Sequence, residues 1–376
     1  MPLPPQKPFP SRIHSGMKIL ITGICGFAGS VLARSLLAHR PGLHITGLDN
    51  LTRKGSQTNL EPLTQLGCDI HIGDVRDRAL LENLPAHHWI IDCAANPSVL
   101  AGLDGSSSRD LVDQNLYGTV NLLELCKNWK AAFTLLSTSR VYSIASLAGL
   151  PIEKTPTRFE LAADTEGSGW SPRGITEDFS ISPPISLYGS TKLCSEWLAL
   201  EYGEAFQFPV WINRCGVLAG AGQFGKADQG IFSYWVHSWR AKRPLKYIGF
   251  GGSGLQVRDC LHPRDIVPLL LAQIDFGGNE KPRIINLAGG IENSMSLREL
   301  SSWCSQNIAP PARFNDPGVI SSDRSSRPFD IPWAILDSAR ARHVWHWKPE
   351  TTLPQILQEI STHAEQNPAW LDIAGG

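Results

Sequence analysis

Lys18-Ile19-Leu20-Ile21-Thr22-Gly23-Ile24-Cys25-Gly26-Phe27-Ala28-Gly29 is the stretch that decides the fold. A short apolar run that stops at a glycine suits a buried parallel strand. The residues from about Phe27 to His39 place Ala28, Val31, Leu32, Ser35 and Leu36 on one helical face, and Pro41-Gly42 ends that helix. His44-Ile45-Thr46-Gly47-Leu48-Asp49 reads as a second strand. Strand, glycine turn, helix and strand together form the setting in which such glycines hold a dinucleotide. Gly23 permits the tight turn, Gly26 lets backbone approach a pyrophosphate, and Gly29 allows close helix–strand packing. The amides around Cys25, Phe27 and Ala28 then face phosphate at a helix start.

Asp49 follows at the distance expected of the acidic residue that bonds the adenosine ribose. A carboxylate there repels a 2′-phosphate, so the pattern predicts NAD rather than NADP, although Arg53 or Lys54 could neutralise such a phosphate. Asp74, in Gly73-Asp74-Val75-Arg76-Asp77, ends the third strand and could meet the adenine or serve only as a turn aspartate. Asn50, Val75 and Ala94 complete the expected cofactor-binding set.

Strands are expected at Asp69–Ile72, at Trp89 to Cys93, at Phe133 to Ser137 and at Phe208 to Asn213. A helix from Asp110 to Trp129 and another from Tyr188 to about Phe206 alternate with them. The alternation predicts an α/β fold: a Rossmann-type doubly wound parallel sheet over residues 17–216, with a smaller, discontinuous C-terminal substrate-binding lobe over 217–376. Some segments of that lobe should return to the sheet. Residues 1–16, rich in proline and without apolar periodicity, read as a disordered leader. Residues 144–184 are rich in Pro, Ser, Gly and Thr, and are expected to form an ordered flap near the substrate.

Tyr188-Gly189-Ser190-Thr191-Lys192 carries the chemistry. A Tyr and a Lys four apart lie on one helical face. The ammonium is expected to stabilise the phenolate and lower its pKa toward neutrality. Such a tyrosine can take a proton from an alcohol while the carbon is oxidised. Thr138, at the end of the strand before the flap, can bond the oxygen as it becomes a carbonyl, with Ser137 or Ser139 as alternatives.

The 376 residues are 42% hydrophobic with a formal net charge of −1, so a large core is available and no basic excess points to nucleic acid or membrane. No run of 18 or more apolar residues occurs, so no membrane span is expected. The eight cysteines include no C-x-x-C pair. The histidines at His87, His88, His343 and His346 stand without grouped carboxylates or thiols, so packing is expected and no metal. A cytoplasmic setting is expected.

These residues resemble the extended short-chain dehydrogenase/reductase family, the NAD-dependent nucleotide-sugar epimerases and dehydratases, from Met17 to about Glu365. The glycine turn, Asp49, Asn115-Leu116-Tyr117-Gly118-Thr119, Thr138, Tyr188, Lys192, Val257-Arg258-Asp259-Cys260-Leu261-His262 and Trp347-Lys348-Pro349-Glu350 carry the likeness. It implies tightly bound NAD, a nucleoside-diphosphate-sugar substrate and a homodimer or higher homo-oligomer. Asp49 to Gly55, Thr157-Arg158-Phe159, Gly174 to Asp178, Gln223-Phe224 and Asp228-Gln229-Gly230 are similar to the family's CDP-sugar 2-epimerase subgroup. That likeness implies oxidation of a sugar carbon to a transient ketone and reduction from the opposite face. It also implies substrate contacts from Arg214, Gln223, Asp228, Gln229, Arg258 and Arg327. An arginine fork at Arg258 suits a diphosphate, and a structural pair with Asp259 would equally use it.

Departures from the family pattern are Cys93 at a histidine position, Val217, Ala219-Gly220, and Asp330-Ile331-Pro332 in place of Asp-Gln-Arg. Dehydratases of this kind carry an Asp-Glu pair after the threonine, where this chain has Ser139-Arg140. The remaining alternatives are a 4-epimerase, a net reductase or dehydrogenase, and a non-catalytic NAD-binding sensor.

Overall fold

The computed structural model describes residues 16–103, 105–308, 320–325 and 329–375. Strand β1 (Lys18–Thr22) turns into α1 (Phe27–His39), and β2 (His44–Asp49) follows. Short helices α2 (Leu60–Gln65) and α3 (Arg78–Glu82) lead to β3 (Asp69–Ile72) and β4 (Trp89–Asp92) respectively. Then come α4 (Ser108–Val112), α5 (Gly118–Trp129) and β5 (Ala132–Thr138). The single helix expected over Asp110 to Trp129 is interrupted by a π-turn at Asp113–Tyr117. The wider turn leaves the Asn115 carbonyl to accept from the Thr119 and Ser195 hydroxyls, and the Asn115 side chain bonds Asn96 and Thr191.

The flap holds α6 (Ile144–Ala148), the hairpin β6 (Ile152–Lys154) with β7 (Phe159–Leu161), and the hairpin β8 (Trp170–Ser171) with β9 (Gly174–Ile175). Helix α7 (Ser186–Phe206) and β10 (Val210–Cys215) return the chain to the sheet. Beyond them lie α8 (Ile231–Arg240), β11 (Leu245–Ile248), β12 (Val257–Asp259), α9 (Val267–Phe276), β13 (Ile284–Leu287), β14 (Ser294–Ser296) and α10 (Leu297–Asn307). The chain closes with β15 (Ile320–Asp323), β16 (Trp333–Ala334), α11 (Ala339–Trp345), α12 (Leu353–Gln366) and α13 (Trp370–Ala374).

The main sheet has seven strands in the order β13-β10-β5-β4-β1-β2-β3, all parallel. From β1 the chain winds toward β3, and from β4 it winds the other way. The change of direction opens a crevice at the strand C-termini between β1 and β4, where open α/β sheets bind ligands. Alternation along β1 decides which face each residue serves: Ile19 and Ile21 pack with Leu32, Leu36 and Trp211, while Leu20 packs with Leu122 and Phe133 on the other side. The sheet is therefore apolar on both faces, as buried parallel strands require.

The second lobe combines the pair β11-β15 and the three-stranded sheet β14-β12-β16 with α8, α10 and α12. Residues 144–184 pack in large part against this lobe. Ile175 and Phe179 join Val257, Trp333, Ile335 and Leu336 in one cluster, and the Ile175 amide donates to the Ile335 carbonyl. Among the described residues no helix is long and apolar enough to cross a membrane. The expected leader, Gly16 excepted, lies outside the described residues.

Candidate active site

The crevice is a cleft of about 700 Å³ running from the glycine turn to the second lobe. Gly23, Gly26, Phe27, Ala28 and Gly29 line one end. A β-carbon on Gly29 would stand 2.3 Å from the Gly23 carbonyl oxygen, so only glycine lets α1 start this close to the turn. Asp49 and Asn50 line the same end from β2. The Asp49 carboxylate accepts from the Cys25 and Leu51 amides, both at 2.9 Å. Burial raises its pKa, and those amide bonds pull the other way. The carboxylate is thus aimed by the turn itself, with lone pairs left for ribose hydroxyls. These features fit a dinucleotide. Val75 and Ala94 also face the cleft.

Two of the expected cofactor residues do not line the cleft. Cys25 is fully buried and does not line the cleft; its backbone aims Asp49 instead. Asp74 does not line it either. Its carboxylate is taken by Arg76 at 2.8 Å and by Asn50 at 2.7 Å. The Arg76 fork holds that carboxyl well below its usual range. Asp74 therefore positions Asn50.

Thr138, Tyr188 and Lys192 meet at the middle of the cleft. The Arg140 amide donates to Thr138 Oγ1 at 3.2 Å, and Thr138 in turn shares a hydrogen bond with the Tyr188 hydroxyl. Gly189 makes this possible: its missing β-carbon would lie 2.2 Å from the Arg140 carbonyl oxygen, so α7 can press onto the turn after β5. The expected ionisation of Tyr188 is corrected. Burial pushes its phenol up to about 12, with the Thr138 bond and the nearby Arg140 charge working against that rise. In the protein alone the group is a neutral phenol at pH 7.

Arg214, expected to touch substrate, does not line the cleft. It is buried and grips Glu196, with Nε at 3.1 Å from Oε1 and Nη2 at 2.7 Å from Oε2. Burial disfavours the guanidinium charge, but Glu196 outweighs it and the pKa is raised. Ser137, next to Thr138, donates to the same carboxylate, and the Tyr142 hydroxyl accepts from Arg214 Nη1. Glu196 lies one turn beyond Lys192, so this pair fastens the catalytic face of α7 to β5 and β10.

Gln223, Asp228 and Gln229 do line the cleft, but toward its glycine end. Arg258 lines the second-lobe end together with Lys246, Ile248, Gln256, Met295 and Asp330. Arg327 lies outside the described residues. No residue of 144–184 lines the cleft. Ser139 and Arg140 do line it, directly beside Thr138. Arg140 was absent from the expected site, and its place two residues after Thr138 was the available signal.

Asp259 is buried next to Arg258 and accepts from the Val217 and Leu336 amides. Burial pushes its carboxyl up to about 7, against those bonds and the Arg258 charge. Its folded pKa thus exceeds its unfolded one, so its stabilisation is full below about pH 4 and is lost as pH rises through about 7. Asp259→Asn should flatten this loss. Between pH 5 and 8 the variant should lose roughly 2 kcal/mol less unfolding free energy in urea than the parent. Parallel pH profiles would show that Asp259 is already ionised in the fold.

A sequence model of the NAD dependent epimerase/dehydratase family matches residues 19–288. The chain is 28% identical over 357 residues to CDP-paratose 2-epimerase of Salmonella typhi, covering 92% of this chain and 98% of that one. It is 26% identical over 359 residues to UDP-glucuronate 4-epimerase of Thermodesulfobacterium geofontis, covering 93% and 96%. Among solved structures, a dTDP-glucose 4,6-dehydratase from Streptomyces venezuelae with NAD bound superposes with a TM-score of 0.76 at 22% identity, over 95% of this chain and all of that one. UDP-glucuronic acid 4-epimerase from Bacillus cereus, in complex with UDP-glucuronic acid and NAD, gives 0.73 at 24% identity, over 93% and 99%. These structural likenesses establish the fold. With the glycine turn, Asp49 and the Thr138–Tyr188–Lys192 set in one cleft, the match over residues 19–288 makes this chain a member of the NAD-dependent epimerase/dehydratase family.

Proposed function

We propose that this protein is a nucleotide-sugar epimerase that keeps NAD bound through its catalytic cycle, and that its substrate is a CDP-hexose inverted at carbon 2. The observation that carries the reading is the hydrogen-bonded Thr138–Tyr188 pair with Lys192 one turn along α7, in the cleft that begins at the glycine turn. Bound NAD supplies reversible oxidation of the sugar carbon and, in its oxidised form, a positive ring that favours the Tyr188 phenolate. Tyr188 takes the hydroxyl proton and later returns it. Thr138 donates to the oxygen as it becomes a ketone. Lys192 and Arg140 are the cations the chain itself places at this point of the cleft. Arg258, with Lys246, offers positive charge for the diphosphate at the other end.

Elimination of water needs an acid beside the threonine. The side chains there are Ser139 and Arg140, neither of which can protonate a leaving hydroxyl at neutral pH, so a dehydratase is disfavoured. The 2-epimerase assignment is supported by likeness to the Salmonella protein. The eight cysteines are all free thiols, which suits the cytoplasm.

The test is to release and quantify dinucleotide from purified protein, then incubate it with CDP-paratose in deuterated water without added NAD. Bound NAD with conversion to the 2-epimer and no deuterium at carbon is the expected result. Conversion of UDP-glucuronate instead would move the reading to a 4-epimerase. Protein without dinucleotide would favour an exchanging dehydrogenase.

We also infer a homodimer. Leu187, Cys194, Trp197 and Leu198 form an exposed or half-exposed apolar strip on α7, continued by the exposed Tyr117. A second copy of the same strip is the self-complementary partner that two-fold symmetry supplies. Trp197→Asp should convert a dimer to a monomer in sedimentation velocity, whereas an unchanged dimer would place the interface elsewhere.

A further inference from the structure

Three of the cleft residues expected to touch substrate also bond the protein itself. Arg53, just after β2, donates from Nη1 to Gln229 Oε1 at 2.7 Å and from Nη2 to the Phe224 carbonyl. Ser98, in the loop after β4, donates to Asp228 Oδ2 at 3.4 Å. Gln223 is held by its own turn, with Nε2 donating to the Leu218 carbonyl at 2.7 Å. The segment 223–230 therefore reaches from the second lobe to both loops that flank the glycine end of the cleft. Asn50, Thr52 and Arg53 line the cleft on one side of it, and Pro97 and Val99 on the other.

The back of this segment is also pinned. Phe224 stacks on Trp370 of α13 with ring centroids 5.4 Å apart and planes 21° from parallel. Trp370 Nε1 donates to the Gln223 carbonyl at 2.9 Å, and Gly55 packs its backbone against the Phe224 ring. Burial lowers the Arg53 pKa while the neighbouring Asp228 charge supports it, so the guanidinium stays paired across the gap.

We propose that Arg53 and the segment 223–230 form a clasp over the dinucleotide end of the cleft, and that Arg53 is the positioning residue that retains the cofactor. The proposal rests on the reading of that end as the NAD site. It gives physical form to a cofactor that stays bound, because NAD cannot leave along this side until the Arg53 bonds open. It also commits the Arg53 guanidinium to closure, so that fork does not stand ready for a 2′-phosphate.

The experiment compares parent protein, Arg53→Ala and Gln229→Ala after the same gel filtration. Dinucleotide content is measured by chromatography, and its release is timed by displacement with excess fluorescent etheno-NAD. The parent should hold NAD near stoichiometry. Arg53→Ala should release it about ten- to a hundredfold faster, as expected for losing charged hydrogen bonds, and should regain turnover when NAD is added. Gln229→Ala, on a surface segment and with the Arg53 charge intact, should move the release rate in the same direction by less, which guards against a variant that fails to fold. A parent that holds NAD while both variants release it at the parent's rate overturns the clasp and leaves the cofactor reading standing. A parent with no dinucleotide overturns both.

Discussion

Tyr188→Phe should lower kcat by about a thousandfold, inside the 10²–10⁴ span that a positioned proton-transfer group supplies. The substitution removes one oxygen and leaves the buried ring and its packing in place. Bound NAD and substrate affinity should therefore be close to those of the parent. The loss should be equal in kcat and kcat/KM, the mark of an interaction made only in the transition state. Because burial pushes the phenol up to about 12 even with Thr138 and Arg140 working against it, Thr138→Val should move the ascending limb of the parent's pH profile, set by the Tyr188 phenolate, to higher pH. A kcat fall of less than tenfold in Tyr188→Phe would show that another group moves the proton.

Glu196→Ala should destabilise the fold by about 3–5 kcal/mol, the cost of leaving a buried charge without its partner. Arg214 has no route to solvent in this position, and Ser137 would lose its acceptor at the same time. Urea unfolding should show the shift as a lower midpoint at an unchanged slope. Replacing both members, Glu196→Met with Arg214→Met, should recover part of the loss, since two apolar side chains leave no orphaned charge. A single-variant loss below 1 kcal/mol would mean that water reaches the guanidinium and that the pair does not fasten α7.

The parts of the site that could be read in the sequence are those whose chemistry is local. The spacing of Gly23, Gly26 and Gly29 defines a turn within seven residues, and the observed α1 has the expected bounds. Tyr188 and Lys192 share a helical face by arithmetic alone. The errors concern residues whose meaning is set by a distant partner. Arg214 was expected to touch substrate, and a helical glutamate eighteen residues upstream gives no hint that it pairs with Glu196. Arg53 and Gln229 are 176 residues apart, so their bond could not be inferred from either neighbourhood. The rise in the Tyr188 pKa in the protein alone was not legible either, because burial is a property of the whole packed structure rather than of a motif. The packing of residues 144–184 was not legible. Their docking surface on Val257 and Trp333 belongs to strands that come much later in the chain.

One consequence concerns how separable the two lobes are. β10 carries Arg214 and is hydrogen-bonded on one side to β5 and on the other to β13, whose residues 284–287 are reached only after β11 and β12 of the second lobe. A nascent chain released to fold after residue 216 would present β10 as a bare edge, with unpaired amides and carbonyls inviting another strand. The cofactor half is therefore not an autonomous module onto which sugar-binding halves could be exchanged by a single cut. Any such recombination has to carry β13 with the sheet and splice on both sides of it.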